Sequence, residues 1–256
     1  MTTDTPHAPE GIQAIQAARS GTPCLLQLDS SADNAGESVS RQLTALFADT
    51  WRALHGPAGH RYRDLAADPV PLVSSAYASL GRRVERHGTV PPSAVAALAD
   101  GAAERREWAL TLPLITELLA ADTVLIGVPM YNFSIPASLK AWIDRLTFPG
   151  AYVDPDTGRS LLRDTRVVVV TARGGGYGPG TPREAYDFQT PYLRTYFGAL
   201  GVADENLIFT HAEMTRSGDV PELARFQEMA AHSLAAARTA MTTEAGRVDG
   251  KAGNRR

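Results

Sequence analysis

Two rhythms of apolar and polar positions run along this chain. Cys24–Leu28, Thr123–Val128, Arg166–Thr171 and Asn206–Thr210 are short runs dominated by apolar or β-branched residues, and a weaker run lies at His60–Asp64. The runs at 123 and 166 scarcely alternate, which predicts strands buried on both faces, as in a parallel sheet covered by helices. Between them the apolar spacing changes to three and four. Val39, Leu43, Leu46, Phe47, Trp51 and Leu54 share one helical face. Trp108, Leu112, Ile115 and Leu119 lie on one side of a long helix over Ser93–Ala120, where Pro113 should bend or interrupt it. Ile135, Leu139, Trp142, Ile143 and Leu146 mark a third helix, and Phe188–Leu200 and Pro221–Met241 give two more. Strand and helix alternate five times, so the expected architecture is one doubly wound α/β domain with strand order 2-1-3-4-5 and right-handed crossovers.

Residues 1–21 read as a flexible extension with a turn or two of helix near Ile12–Ala18, residues 22–242 as the domain, and residues 243–256 as a disordered, charged tail. Asp68–Pro92 is long for a plain connection, which points to a function or a contact. Net charge is −3, against a nucleic-acid partner. The single cysteine excludes a disulfide framework, and the histidines have no ligand spacing, so no metal is expected. No apolar run reaches the roughly 20 residues of a membrane span, and no signal-like segment opens the chain. A reducing, cytoplasmic setting is the expectation.

Ligands of open α/β sheets sit beyond the carboxyl ends of the strands, at the point where strand order reverses. Three unusual segments fall there. "DSSADNAGES" is a long polar loop entering a helix, where free N–H groups and the hydroxyls of Ser31, Ser38 and Ser40 can surround a phosphate without a lysine. Ser38 serving only as a helix cap is the alternative. "PMYNFSIP" places Tyr131 and Phe133 in a loop with Asn132 between them; it can wall a flat aromatic ligand, or simply pack on the core. "ARGGGYGPG" has five glycines in nine residues, suited to close backbone approach or to a flexible surface loop. There is no G-x-G-x-x-G, no phosphate-loop lysine and no G-x-S-x-G elbow, which disfavours dinucleotide-fold, nucleotide-triphosphate and serine-hydrolase readings.

At these loops the chain resembles the FMN-dependent NADH-azoreductases, also called FMN-dependent NADH:quinone oxidoreductases, among the flavodoxin-like quinone reductases. "VPMYNFSIPASLKAWID" is similar to that family's P-M-Y-N-F-x-I-P-x-x-L-K-x-x-x-D segment, "TARGGGYGPG…TPYLRTYFGALGV" to its S-R-G-G…Y-L stretch, and "SSADNAGESVSRQL" to its phosphate loop. The resemblance implies a flavodoxin-like fold and tightly bound, non-covalent FMN. It implies phosphate contacts from Ser31, Ser38, Val39 and Ser40. Flavin contacts are implied for Met130, Tyr131, Asn132 and Phe133, and for Ala172, Arg173, Gly174 and Gly175. It implies ping-pong, two-electron transfer from NAD(P)H through flavin N5 to a quinone or azo acceptor, with no catalytic side chain, in a homodimer whose partner subunit helps to wall the pocket. A reductase dedicated to a specialised-metabolite pathway and a flavodoxin-like electron carrier are the alternatives.

The family's pocket motif G-V-T-F-x-Y is replaced by "PGAYVDPDTG", leaving Tyr152 and Phe133 as pocket candidates. The segment Ser74–Pro92 carries Arg82, Arg83 and Arg86, which either favour an anionic acceptor or form a solvated face. Phe133, Trp142 and Phe148 give the helix after the flavin loop more aromatic surface than one sheet face needs, which predicts a dimer interface there.

Overall fold

A computed structural model describes residues 22–33 and 36–247. Five parallel strands run in the order β2-β1-β3-β4-β5. They are β1 (Leu25–Asp29), β2 (His60–Asp64), β3 (Thr123–Pro129), β4 (Arg166–Ala172) and β5 (Leu207–Ala212). The expected fold class and strand order are therefore present, with strand ends moved by one or two residues. Helices α1 (Val39–His55), α2 (Ser75–Arg86), α3 (Pro92–Val95), α4 (Gly101–Ala120), α5 (Ala137–Leu146), α6 (Gln189–Ala199) and α7 (Gln227–Gly246) cover the sheet.

The near-continuous apolar strands follow from burial on both faces. Leu26, Leu28, Val124, Ile126, Val128, Val167 and Val169 point into one core with Trp108, Ile115, Trp142 and Phe197. The intervening Leu25, Leu125, Val168 and Val170 point into the other, against Leu43, Phe47 and Trp51 of α1 and Ala237 and Met241 of α7. Strand β2, HRYRD, was faint in sequence because it is an edge strand whose charged residues discourage further pairing.

Four expectations need correction. The long helix does not begin at Ser93. Pro92–Val95 is a separate turn of helix, and α4 starts at Gly101, whose φ is +77°. Glu104 in the first turns reaches back to accept from the Asp100 N–H at 2.7 Å, which fixes the start. Pro113 stays inside a continuous helix. The tail does not begin at 243, because α7 runs to Gly246 with Glu244 and Ala245 buried, and Glu244 pairs with Arg166 of β4. Trp142 and Phe148 offer no interface: they are 0% and 5% exposed, and Phe148 packs edge-on against Tyr77 and tilted against Trp108. The expected N-terminal extension, residues 1–21, lies outside the described residues, as does the chain beyond Arg247.

Segment 74–92 is largely helix, not loop. Ser74 caps α2, and the Tyr77 hydroxyl donates into the group of carbonyls where α5 ends, with that of Arg145 at 2.9 Å. Arg145 is 1% exposed; it pairs with Glu107 at 2.7 Å and donates to the Pro71 and Leu72 carbonyls. The length after β2 thus serves to fasten a strap across α4 and α5.

Candidate functional site

The carboxyl ends of β1, β3 and β4 carry the three singled-out segments. Behind the first, Asp29 ends β1 as a buried carboxyl that accepts from Thr44 Oγ1 at 2.7 Å. Burial pushes its pKa up, against the pull of Thr44 and Arg41. A Cβ on Gly127 of the neighbouring strand would lie 2.6 Å from Asp29 Oδ1, so that position requires glycine. Arg41 grips both oxygens of Asp64 (2.7 and 2.8 Å) and donates to the Ser31 carbonyl at 2.7 Å. That fork pins the loop to the edge strand, and its hydrogen bonds hold the Asp64 carboxyl down to about 2. Neither Arg41 nor Asp64 had been singled out in the sequence.

Ser38 caps α1, and no acidic residue occupies the helix's first turn, which leaves its positive end uncompensated. Ser38 Oγ lies 3.2 Å from Ser40 Oγ. Ser31 and Ser38 are nearly buried and Ser40 is fully so, with Val39 half-buried beside them. Residues 34 and 35 of this loop lie outside the described residues.

The second segment is a two-residue hairpin. Tyr131 and Ser134 exchange both backbone hydrogen bonds at 3.0 Å, and Asn132 and Phe133 have φ of +48° and +70°. Two successive positive φ values define the turn type that ordinarily takes Asn-Gly. Asparagine suits the first position; phenylalanine at the second is strained. The strain points the ring away from the core, where it meets Tyr186 at 5.5 Å and Tyr177 at 6.4 Å between centroids. At this position glycine is expected to be more stable than alanine by about 1 kcal/mol, the reverse of the usual order. Urea unfolding of Phe133→Gly and Phe133→Ala measures it, and a more stable alanine variant contradicts the strained turn.

The third segment is held from behind by the Arg173 side chain. Arg173 is 1% exposed and pairs with Asp187 at 2.9 Å and Glu213 at 3.4 Å. Glu213 also accepts from the Tyr177 N–H at 2.8 Å, and the Met214 and Thr215 amides donate to Gly175 and Arg173 carbonyls. The Arg173 guanidinium is thereby committed to the protein. Among the described residues, the N–H groups of Asn132, Phe133, Gly174 and Gly175 donate to no protein acceptor. These open amides, with Met130, Tyr131 and Ala172 alongside, are what the polar edge of a flat heterocycle needs. Fully buried Gln189 ties the ends together from below, donating to the Val128 and Pro129 carbonyls.

Two clefts meet at Asn132. One, of about 490 Å³, is lined by Met130, Phe133, Gly174, Gly175 and Tyr177 together with Arg183 and Arg216. The other, of about 520 Å³, is lined by Tyr131, Ile135, Lys140 and Tyr192 among others. Tyr152 lines neither. It is 5% exposed, donates its hydroxyl to the Leu146 carbonyl at 2.8 Å, and burial drives its pKa far up. Arg82, Arg83 and Arg86 are also absent from both clefts. Arg83 fastens α2 to Glu104 of α4, and Arg82 reaches Ser79. Of the pocket candidates only Phe133 stays.

The serine hydroxyls at a helix start, the open amides and the half-exposed rings form a donor set that fits a phosphorylated flavin. Among the described residues no His, Cys, Asp and Glu cluster is arranged to hold a metal, and no helix is long and apolar enough to cross a membrane.

Comparison with known proteins bears on the fold and the family. Residues 24–234 match the family described as having the flavodoxin-like fold. The FMN-dependent NADH:quinone oxidoreductase of Nocardia farcinica is 46% identical over 204 residues, 79% of this chain and 88% of that protein. The protein of the same name from Frankia casuarinae is 38% identical over 218 residues, 85% of this chain and 96% of that one. Among solved structures, an azoreductase from Bacillus anthracis superposes with a TM-score of 0.71 at 20% identity, covering 88% of this chain and 100% of that one. An FMN-dependent NADH-azoreductase of the same species, in complex with FMN, gives 0.66 at 19% identity, over 89% and 99% of the two chains. The match along the sequence and the sheet order together place the chain in the flavodoxin-like family of FMN-dependent NADH:quinone oxidoreductases.

Proposed function

We propose that the chain is an FMN-dependent NAD(P)H oxidoreductase acting on quinones and azo compounds. The observation that carries this reading is the convergence of three segments at the carboxyl ends of β1, β3 and β4: a serine-lined helix start, a strained aromatic hairpin and a glycine strand-end whose amides are open. Bound FMN would supply the redox chemistry, two-electron transfer through N5 from NAD(P)H to the acceptor in a ping-pong cycle. The protein's part is to bind and orient. Ser31, Ser38, Val39 and Ser40 with the α1 start hold the phosphate. Met130, Tyr131 and Phe133 supply apolar wall. The amides of Asn132, Phe133, Gly174 and Gly175 donate to the ring's polar edge and stabilise negative charge that develops there. No side chain acts as a nucleophile.

Purified protein is expected to be yellow. Ser38→Ala and Ser40→Ala are each expected to weaken FMN binding by about 1.5–3 kcal/mol, because a lost hydrogen bond to a charged group is worth roughly that much. Titration of the apoprotein with FMN, followed by absorbance, measures this; a wild-type protein that takes up no FMN sinks the reading.

We also infer a homodimer. The aromatic core residues of α5 and its exit give no support, but Tyr131, Phe133, Tyr186 and Phe188 are 38–58% exposed on the hairpin and the segment facing it. Such a patch marks a contact surface. Sedimentation equilibrium should give twice the 27.4 kDa chain mass, and a fully active monomer removes the inference. Use of NADH and the single cysteine point to the cytoplasm as the working compartment.

A further inference from the structure

The 490 Å³ cleft contains two arginines that the flavin reading does not use. The Arg216 stem lies 3.0 Å from where a Cβ on Gly174 would sit, and Arg183 Nη1 lies 3.1 Å from the same point on Gly175. Both side chains therefore rest on the two glycines whose amides stay open. Both are exposed, and among the described residues neither makes an ion pair. Their backbones are fixed: Val220 and Asp219 amides donate to the Arg216 carbonyl at 3.0 and 3.1 Å, and the Tyr186 amide donates to that of Arg183 at 2.9 Å. Glu213, which lies against the same glycine segment, is committed to Arg173 and the Tyr177 amide. Glu222 is the carboxylate among the cleft's lining residues, against two guanidiniums.

We propose that Arg183 and Arg216 form a clamp for an anionic oxygen group, a phosphate, sulfonate or carboxylate, on the ligand that exchanges electrons at this cleft. The proposal rests on the FMN reading above. A guanidinium presents a planar fork that matches such groups, and the fixed turns hold the two stems on the same side of the cleft. The anion has two possible sources: the pyrophosphate of the nicotinamide dinucleotide, or a charged substituent of the acceptor.

The test uses FMN-loaded wild type, Arg183→Gln, Arg216→Gln and Glu222→Gln. One arm compares NADH with reduced nicotinamide riboside, which has no phosphate. The other compares neutral menadione with a naphthoquinone sulfonate. A binding arm titrates ADP-ribose and naphthalene sulfonate against the bound flavin's absorbance. Each arginine variant should lower kcat/KM for the charged member of one pair about three- to tenfold relative to its neutral counterpart, with a matching rise in Kd for the corresponding probe. Glu222→Gln should move the same ratio the opposite way. The pair that responds identifies the source. Unchanged ratios and unchanged Kd values in both arms overturn the clamp, and so does loss of FMN from both arginine variants, which would assign them to the cofactor. A wild type that binds no FMN fails the functional reading instead.

Discussion

Replacing Arg173 with methionine is expected to cost about 3–5 kcal/mol of folding stability, a large share of the roughly 5–15 kcal/mol that holds a domain together. The side chain is 1% exposed and faces two carboxylates, Asp187 at 2.9 Å and Glu213 at 3.4 Å. Burial alone would raise the Asp187 pKa, but the Thr190 amide and the Arg173 charge outweigh it and hold the carboxyl below its usual range. Without the guanidinium, two half-buried carboxylates are left beside each other with no counter-charge. The same change frees the glycine segment, because Glu213 also holds the Tyr177 amide. Urea unfolding should show the loss, and FMN titration should show weaker binding. The triple variant Arg173→Met, Asp187→Asn, Glu213→Gln should recover at least half of the stability, since neutral amides tolerate burial without a cation. A single variant that loses less than about 1 kcal/mol would mean that the carboxylates are well solvated and that Arg173 does not organise the loop.

Arg173 also illustrates what the sequence could and could not say. Its position at the end of β4 was legible, because a run of valines followed by glycines announces a buried strand and its exit. Its role was not. Asp187 and Glu213 stand 14 and 40 residues further on, and no local pattern pairs them with it. The same holds for Arg41 and Asp64, which are joined only because β2 lies beside β1. Strand order and site location followed from periodicity and from the rule for open sheets. The side-chain partners depend on tertiary placement.

The misreadings share a physical cause. Tyr152, Trp142 and Phe148 stood in segments that looked loop-like or over-supplied with rings, and each proved to be core, because the connection after β2 folds into α2 and builds a deep layer with α4 and α5. The arginines of that connection are spent on the layer itself. Arg183 and Arg216, which reach the cleft, sit in segments with no periodicity to mark them. The left-handed Asn132–Phe133 pair was invisible for another reason: the turn type favours glycine where this chain has phenylalanine.

Acid should weaken the fold through His211. This residue lies on β5 opposite Thr171 of β4, and its Nδ1 is 2.8 Å from the Thr171 hydroxyl. Burial first, and then the nearby Arg173 charge, push its pKa from 6.5 down to about 4, against a smaller pull from Asp187. The unfolded chain therefore binds a proton more readily than the folded one between these values. The stability is fully present above about pH 6.5 and is lost as pH falls towards 4. From about pH 7 to about pH 4.5 the loss due to His211 is expected to be about 2–3 kcal/mol. Asp29 works in the other direction: its raised pKa means that acid favours the folded state there, so it cannot be the source of the loss. His60 is shifted the same way as His211, by burial and Arg52, and will add to the wild-type slope. The comparison that isolates His211 is urea unfolding at both pH values for wild type and His211→Gln. Glutamine keeps a hydrogen-bonding partner for Thr171 and does not titrate. Its stability should change less over this interval by the amount stated, and equal slopes in the two proteins would show that His211 gains its proton in the folded state without cost.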